Sequence, residues 1–441
     1  MPPASHTPHR VRRVVLAATG LAAVTALAGC GGSQSAATSL NEQAPVTLTW
    51  WTGQADTAET ILEDLAAEFH TLHPNVTIKV SSGAPTTDDL LQKLSAGFAG
   101  DSYPDISYAY GSWAGELEAS GRTLDITDKV SDPTVKWSDF SSAARQTAKP
   151  TGGKTIGFPA VVDDIALFYN KTVFDAAGLA YPTADWTWDD FRTAAKKLTD
   201  PSTNTYGYAY SVSGGEETTW QFWPHLWQRG GDILSADSKK ATFNSQAGVD
   251  ALTFLRGMAI DDKSVYLDQT DTNASRLFAS NRVGMITAPP WELYDLKVAG
   301  TNYGVTLMPG YNGNHETISG PDLWALFDHK DPNRAYWSYE LAKWLTDPAR
   351  DLKVNVGYGN LPLRPVEMDT PEFRDQAQSQ PGFDVLAKNI VNAVKVRPTV
   401  QGYAPLSEAI GTAISSVLQG QGDPRQALDA AAATGDQALA G

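Results

Sequence analysis

The 441-residue chain has one cysteine, Cys30, and so cannot form a disulfide within itself. Basic residues are also scarce: 34 lysines and arginines stand against 50 acidic residues, which gives a formal net charge of −16. A chain this negative repels nucleic-acid phosphates and anionic membrane surfaces, which disfavours nucleic-acid binding. The sequence also lacks the Cys/His spacing of a zinc site. We therefore expect no metal and no cofactor.

The amino terminus has the layout of an export signal. Basic residues at 9–13 precede an uncharged stretch of small and apolar residues at 14–29, which is shorter than the ~20 residues of a spanning helix. One interpretation is a cleavable secretory signal followed by an incidental cysteine. However, a lone thiol in an exported protein needs a role, and Leu27-Ala-Gly-Cys30 resembles the bacterial lipobox. This resemblance implies a signal peptide over 1–29, lipid on Cys30, a flexible tether over 30–45 and attachment to the outer face of the cytoplasmic membrane.

The length of the chain gives two to three domains at about 150 residues each. Its first structured part alternates strands and helices, in the order typical of a mostly parallel sheet covered by helices, which is an α/β fold. Ligands bind at the carboxyl ends of such strands, so 52–55 and 108–113 are expected at a ligand site. The predicted strands are 46–51, 76–80 and 104–109, and the predicted helices are 57–72 and the segment around 90–98.

The rest of the chain contains further clear elements. Residues 156–162 and 166–170 are predicted to form an extended pair, and a helix over 186–198 has Asp185 as its expected cap. Further helices are predicted at 243–258, 331–345, 406–418 and 424–439.

Several motifs occur in an order that resembles the family 1 extracellular solute-binding proteins of ABC importers, of the maltose/trehalose type. The resemblance runs from about residue 46 to the carboxyl terminus. Its motifs are the lipobox, Leu48-Thr-Trp-Trp-Thr-Gly53, Phe69-His-Thr-Leu-His-Pro-Asn-Val76, Pro104-Asp-Ile106, Gly157-Phe-Pro159 with Tyr169-Asn-Lys171, Gly284-Met-Ile-Thr-Ala-Pro-Pro-Trp291, Tyr303-Gly-Val-Thr-Leu-Met-Pro309 and Tyr358-Gly-Asn-Leu-Pro-Leu-Arg364.

This resemblance implies two α/β lobes joined by several crossings, with the ligand held between them. The family layout gives a first lobe of 46–157 plus 318–366 and a second lobe of 160–316 plus 367–441. Each lobe is expected to contain a mostly parallel sheet flanked by helices.

Thirteen tryptophans are present, and many lie beside turns and glycines. Sugar rings stack on aromatic planes through their C–H faces, while their hydroxyls need polar partners of fixed geometry. The simpler interpretation is that tryptophans are large core residues. We expect that interpretation for the tryptophans in helical contexts, which are Trp137, Trp186, Trp188, Trp337 and Trp344.

Among the aromatic residues, Trp291 follows a rigid Pro-Pro pair and matches the tryptophan that stacks on sugar in maltose-binding relatives. Trp220 falls on another aromatic contact of the family, and Trp223 on a neighbouring, more structural tryptophan. Tyr110 stands next to a position that is often aromatic, and Trp324 is expected to enter the cleft from the first lobe.

The resemblance also supplies polar site residues. Asp163 falls where the family places a cleft carboxylate, and a carboxylate can accept two hydroxyl hydrogen bonds. Asp105 either contributes to the site or caps local backbone. The remaining polar residues expected near the ligand are Gln54, Asp322, Asn360 and Arg364, with Arg397 and Tyr403 as weaker expectations.

The sequence favours reversible capture of a neutral oligosaccharide and its delivery to a membrane permease powered by a separate ATPase. The protein is expected to be a monomer and not an enzyme. One alternative ligand is a glycerol-phosphate diester, for which Arg364 and Arg397 would supply the positive charge. A less favoured alternative is an exported glycoside hydrolase, which needs two carboxylates ~5–10 Å apart across one bond.

Overall fold

A computed structural model describes residues 39–54, 56–84, 87–355 and 359–441. The predicted signal peptide, Cys30 and the tether up to residue 38 lie outside the described residues. Within the described ranges, no helix has both the length and the apolar character needed to cross a membrane.

Two five-stranded sheets organise the described part of the chain. The first has the order β2-β1-β3-β10-β4 and the second the order β7-β6-β8-β5-β9. The strands are β1 (Val46–Trp51), β2 (Val76–Ser81), β3 (Ile106–Ala109), β4 (Gly157–Val161), β5 (Ala166–Asn170), β6 (Tyr206–Ser211), β7 (Val265–Asp268), β8 (Val283–Ala288), β9 (Tyr303–Thr306) and β10 (Asp322–Leu326). We call each sheet, with the helices packed on it, a lobe.

Each sheet is parallel except for one strand. In the first sheet β1 pairs in parallel with β2 and β3, whereas β10 runs antiparallel to both β3 and β4. In the second sheet β6 pairs in parallel with β7 and β8, whereas β5 runs antiparallel to β8 and β9. The reversed strands β5 and β10 are the ones that the chain enters from the other sheet. The chain leaves one sheet at its carboxyl edge and starts β5 or β10 at the carboxyl edge of the other sheet, which faces it. A strand that starts at this edge runs opposite to the strands that end there.

Helices cover both sheets. In the first lobe α1, α4 and α11 pack on the strands, and in the second lobe α5, α6, α7 and α9 do so, while α15 and α16 pack on each other and on α7 and α8. The helices are α1 (Asp56–Leu72), α2 (Asp88–Ala99), α3 (Ala114–Ala119), α4 (Ser142–Thr147), α5 (Lys171–Ala176), α6 (Trp188–Leu198), α7 (Glu216–Gln228), α8 (Gln246–Arg256), α9 (Asn273–Ala279), α10 (Glu292–Ala299), α11 (Pro332–Leu345), α12 (Pro348–Val354), α13 (Pro371–Ser379), α14 (Phe383–Asn389), α15 (Tyr403–Leu418) and α16 (Pro424–Leu439).

The α/β fold predicted from the sequence is confirmed, and its first five elements lie where the pattern placed them, in β1, α1, β2, α2 and β3. The helices predicted at 331–345 and 424–439 are α11 and α16. Of the five tryptophans expected in the core, Trp188 and Trp337 are buried. The other three are half-buried against the cores: Trp137, Trp186 and Trp344.

Two local predictions were wrong. The extended segments at 156–162 and 166–170 do not pair with each other, because β4 belongs to the first sheet and β5 to the second. Helix α6 is capped by Thr187 and not by Asp185. The Thr187 hydroxyl accepts from the Asp190 amide, and the Asp190 carboxylate accepts from the Thr187 amide, which completes a capping box.

Candidate functional site

Two adjoining cavities lie at the facing carboxyl edges of the sheets. The first, about 300 Å³, is lined mainly by the ends of β6, β7 and β8 and the starts of α7 and α10. The second, about 370 Å³, is lined mainly by residues of the first lobe. Both volumes fall within the range of small-molecule sites, ~300–1,000 Å³. The two cavities share Tyr110, Asp163, Trp291 and Asp322.

An aromatic surface lies at the junction of the cavities. The rings of Trp220 and Trp291 are nearly parallel, at 17° with their centroids 5.8 Å apart. Trp291 stands directly before α10 and is 39% exposed, whereas Trp220, one turn into α7, is 6% exposed. The indole Nε1 of Trp220 finds no acceptor among the described residues. The surface therefore offers ring faces together with an unused hydrogen-bond donor.

Asp163 lies on the crossing between β4 and β5. Its carboxylate is buried, and Oδ1 has no hydrogen-bond donor among the described residues. Burial, and next the charge of Asp322, raise the pKa of Asp163 well above its usual value. The glycine at position 320 leaves room for this carboxylate, because a Cβ at Gly320 would lie 2.2 Å from Oδ1. A buried, unsatisfied acceptor beside a cavity is an energetic cost that a ligand donor would remove.

An ion network joins the two lobes beside Asp163. Asp322, at the start of β10, accepts hydrogen bonds from Tyr108 Oη (2.5 Å), the Gly111 amide (2.8 Å) and Arg397 Nη2 (3.0 Å). Arg397 Nη1 also donates to Glu216 on α7, at 3.3 Å. Burial by itself lowers the pKa of Arg397, but Asp322 and Glu216 outweigh burial and raise it. Arg397 is therefore a permanent cation whose charge is already matched.

Acidic groups dominate the first cavity. Seven carboxylates line it, and Arg397 is the one cation among the described residues that do so. Burial raises the pKa of Glu217 and of Glu292 to about 7. The seven are Asp163, Glu216, Glu217, Asp268, Asp271, Glu292 and Asp322.

Most of the residues predicted from the sequence are brought together. Asp163, Tyr110, Trp291 and Asp322 line both cavities, and Arg397, a weaker expectation, lines the first. The other predicted residues that line a cavity are Gln54, Trp220, Trp324 and Asn360.

Three predicted site residues are structural, and those predictions are corrected here. Asp105 precedes β3, at the edge of the sheet opposite the cleft, where Arg334 donates to both of its carboxylate oxygens (2.7 and 2.9 Å). Trp223 is fully buried in the core of the second lobe and donates to Tyr403 Oη. The Arg364 guanidinium carbon lies 3.8 Å from the centroid of the buried Phe140 ring, and Nη1 donates to the Thr346 carbonyl.

Several acids of the first cavity were not predicted from the sequence, including Glu217, Asp271 and Glu292. Two signals would have found them. Glu217 follows Gly214-Gly215, which is the break between β6 and α7, and Asp271 follows the carboxyl end of β7. Both places are ligand-binding edges in a parallel sheet. Glu292 directly follows the predicted Trp291.

Two sheets that meet around a shared cleft define a two-lobed ligand-binding protein. Residues 64–381 match the family model for bacterial extracellular solute-binding proteins. The chain therefore belongs to this family, the class that serves ABC importers.

Relatives and solved structures agree with this assignment. The chain is 23% identical over 416 residues to the sn-glycerol-3-phosphate-binding periplasmic protein of Rhizobium meliloti, across 90% of this chain and 95% of that protein. The structure resembles the cyclic alpha-maltosyl-1,6-maltose binding protein of Arthrobacter globiformis, with a TM-score of 0.77 and 24% identity, across 90% and 99% of the chains. It also resembles a Mycobacterium tuberculosis protein in complex with glycerophosphocholine, with a TM-score of 0.79 and 16% identity, across 90% and 98%.

Proposed function

We propose that the chain is the substrate-binding lipoprotein of an ABC importer and captures a sugar or oligosaccharide for delivery to the permease. The observation that carries this proposal is the pair of unsatisfied groups beside the Trp220–Trp291 surface. Trp220 Nε1 needs an acceptor and Asp163 Oδ1 needs a donor. A sugar hydroxyl is both donor and acceptor, and a sugar ring offers the C–H face that an indole binds.

The charge of the site favours a sugar over a glycerol-phosphate diester. The described residues that line the first cavity include seven acidic side chains and one arginine, so the cavity offers a phosphate no uncompensated positive charge. Of the two arginines expected to compensate, Arg364 lies outside both cavities and Arg397 is already paired with Asp322 and Glu216. The glycerophosphate-binding relatives support the alternative ligand, and a binding measurement separates the two.

The site supports binding better than hydrolysis. A glycoside hydrolase needs one carboxyl to protonate the leaving group and a second to act beside it. Asp322, which lies near Asp163, accepts three hydrogen bonds, one of them from Arg397, so it is poorly placed to act as an acid or a nucleophile.

The rest of the proposal concerns attachment and domain organisation. Lipid on Cys30 would hold a monomer at the outer face of the cytoplasmic membrane, with residues 30–45 as its tether. The lobes would be 46–157 plus 318–366 and 160–316 plus 367–441. The strand positions support a first crossing a few residues later than this, between β4 and β5.

Isothermal titration calorimetry tests the ligand class. The panel contains α- and β-linked gluco-oligosaccharides, monosaccharides of gluco, galacto and manno configuration, glycerol-3-phosphate and glycerophosphocholine. We expect saturable binding of at least one carbohydrate and none of the phosphates. Binding of a phosphate ester alone would establish the alternative, and binding of neither class would reject both.

A further inference from the structure

We infer that the first cavity takes an amino sugar, with its protonated amine held between Glu217 and Glu292. This inference rests on the proposed carbohydrate function and names the class of sugar. Acidic side chains outnumber basic ones in this cavity: seven carboxyl groups and one arginine line a volume of about 300 Å³. Because that arginine already serves Asp322 and Glu216, the remaining acids lack a counter-charge inside the cavity.

An acidic cluster alone does not make a site, since acids also stabilise helix amino termini. Glu217 and Glu292 do lie in the first turns of α7 and α10. However, Glu292 is 5% exposed, and while Oε2 accepts from Ser275 at 2.7 Å, Oε1 has no donor among the described residues. Asp163 Oδ1 is unsatisfied in the same way. One acceptor at the start of α10, Glu292 Oε1, and one on the crossing between β4 and β5, Asp163 Oδ1, are therefore buried beside the same cavity without a donor among the described residues.

The pKa values of these two glutamates are raised, as expected for acids without a cation beside them. Burial, and for Glu217 next the charge of Asp271, raise the pKa of Glu217 and of Glu292 to about 7. Gln221 already donates to Glu217 at 2.8 Å and opposes this rise. A positive charge between the two acids would restore their ionised form.

The unsatisfied oxygens also select the kind of cation. Among the described residues, no group of three acidic, histidine or cysteine side chains is arranged to hold a metal ion. A quaternary ammonium has no N–H to donate, so it would leave Oε1 and Oδ1 unsatisfied. A primary ammonium donates three hydrogen bonds and carries the charge, and the Trp220–Trp291 surface accepts the sugar ring that bears it.

Matched sugar pairs test the inference. Glucose, galactose and mannose, and their oligosaccharides that bind in the panel above, are each compared with the 2-amino and the N-acetylated 2-amino form by calorimetry at pH 7 and pH 5. We expect the free amine to bind at least about tenfold more tightly than its hydroxyl partner at pH 7, as a charged hydrogen bond requires. The acetylated form, which has no charge, should lose this preference. At pH 5 the preference should shrink, because Glu217 and Glu292 are then protonated.

The groups that face these two acids enter the pH response as well. They are Glu216 on α7, Asp271 after β7, Asp295 on α10, and, in the cavity wall, Tyr110, Asp163, Asp268, Asp322 and Arg397. Variants isolate the two acids from this background.

Glu292→Gln keeps the shape and the Ser275 contact but removes the charge, and Glu217→Gln does the same on α7. Each should reduce the preference for the amine to within about threefold while the neutral sugar still binds. Asp295→Asn removes the same charge from an exposed position of α10 and should keep the preference. Melting curves confirm that each variant is folded.

Each result is decisive. Equal or tighter binding of the neutral sugar at pH 7, or a preference for the amine that survives both glutamine variants, would overturn the inference and leave the proposed function standing. Glycerophosphocholine as the sole cationic ligand would overturn both, and so would the absence of any sugar binding.

Discussion

Gly359 of the first lobe lies against Trp291 of the second. Gly359 has a φ of +85°, and a Cβ at this position would lie 3.1 Å from both Trp291 Cα and the Pro290 carbonyl oxygen. The contact joins the two lobes at the residue that carries the exposed part of the aromatic surface.

The contact at Gly359 predicts how closure responds to substitution. Gly359→Ala should weaken carbohydrate binding severalfold, because the added methyl group must displace the backbone of Pro290 and Trp291, and Trp291 lines both cavities. Small-angle scattering should show compaction of the wild-type protein on adding ligand, and less compaction of the variant at equal ligand concentration. The control is Gly313→Ala, which has a similar φ of +78° but no atom within 4 Å of the added Cβ. It should lose stability without loss of affinity, and equal effects of both variants would show that backbone strain alone is responsible.

Trp291 and Trp223 should respond differently to truncation. Trp291→Ala removes an exposed platform and should cost about 2 kcal/mol of binding, or roughly a thirtyfold loss of affinity, with little change in melting. Trp223→Ala empties a fully buried site and should cost about 3–5 kcal/mol of folding stability. Calorimetry and thermal melting on both variants check this. A sharp fall in melting temperature for Trp291→Ala with unchanged affinity would make Trp291 a core residue.

Asp163 and Asp164 form a second matched pair. Both are buried, and burial, as the first cause, raises the pKa of each well above its usual value. Replacing either with Asn removes a carboxyl that is costly to ionise, so both variants should gain stability at pH 7 relative to the wild-type protein.

Only Asp163 lines the cavities, so only Asp163→Asn should change which sugars bind. Leaving a buried polar group without its hydrogen-bond partner costs about 1–3 kcal/mol, which sets the size of the expected loss for the preferred sugar. Calorimetry over the sugar panel measures it. An equal change for Asp164→Asn would mean that the effect passes through folding rather than through ligand contact.

The sequence pattern was sufficient to predict helices and strands whose bounds depend on neighbouring residues alone. The run at 46–51 and the helix that follows are set by side-chain periodicity, and both were predicted within a residue. The direction of β5 depends on which sheet the chain enters, and that pairing connects residues more than a hundred positions apart. The family resemblance assigned Asp163 and Trp291 to one site, and both residues line the two cavities.

The same resemblance failed where burial decides the role of a residue. Asp105 has the residue type of a ligand contact, but its partner Arg334 comes 229 positions later in the chain. No local pattern reveals that ion pair. Glu292 is the opposite case, a cavity residue that was not predicted. Its unsatisfied oxygen depends on the geometry of α9 and α10 together.

The last prediction concerns the pH dependence of stability without ligand. The pKa of Glu292 is about 7 in the folded protein, raised chiefly by burial from a usual value of 4.5. A raised carboxyl pKa means that the folded state binds the proton more tightly than the unfolded state. The stabilising effect of the protonated form is therefore complete below pH 4.5 and is lost as the pH rises to about 7. Glu292→Gln cannot ionise, so it should match the wild-type protein near pH 4.5 and exceed its stability above pH 7.

The prediction concerns the difference in the free energy of unfolding between Glu292→Gln and the wild-type protein. Lowered pKa values elsewhere, such as that of Asp262, act in the opposite direction but are common to both proteins and cancel in this difference. Denaturant unfolding at pH 4.5, 6 and 8 gives the difference directly. Asp295→Asn on the same helix is the control. Its charge adds to the raised pKa of Glu292 but less than burial does, so this variant should show the same trend only weakly. A constant offset between Glu292→Gln and the wild-type protein at all three pH values would mean that Glu292 ionises as freely in the folded protein as in the unfolded chain.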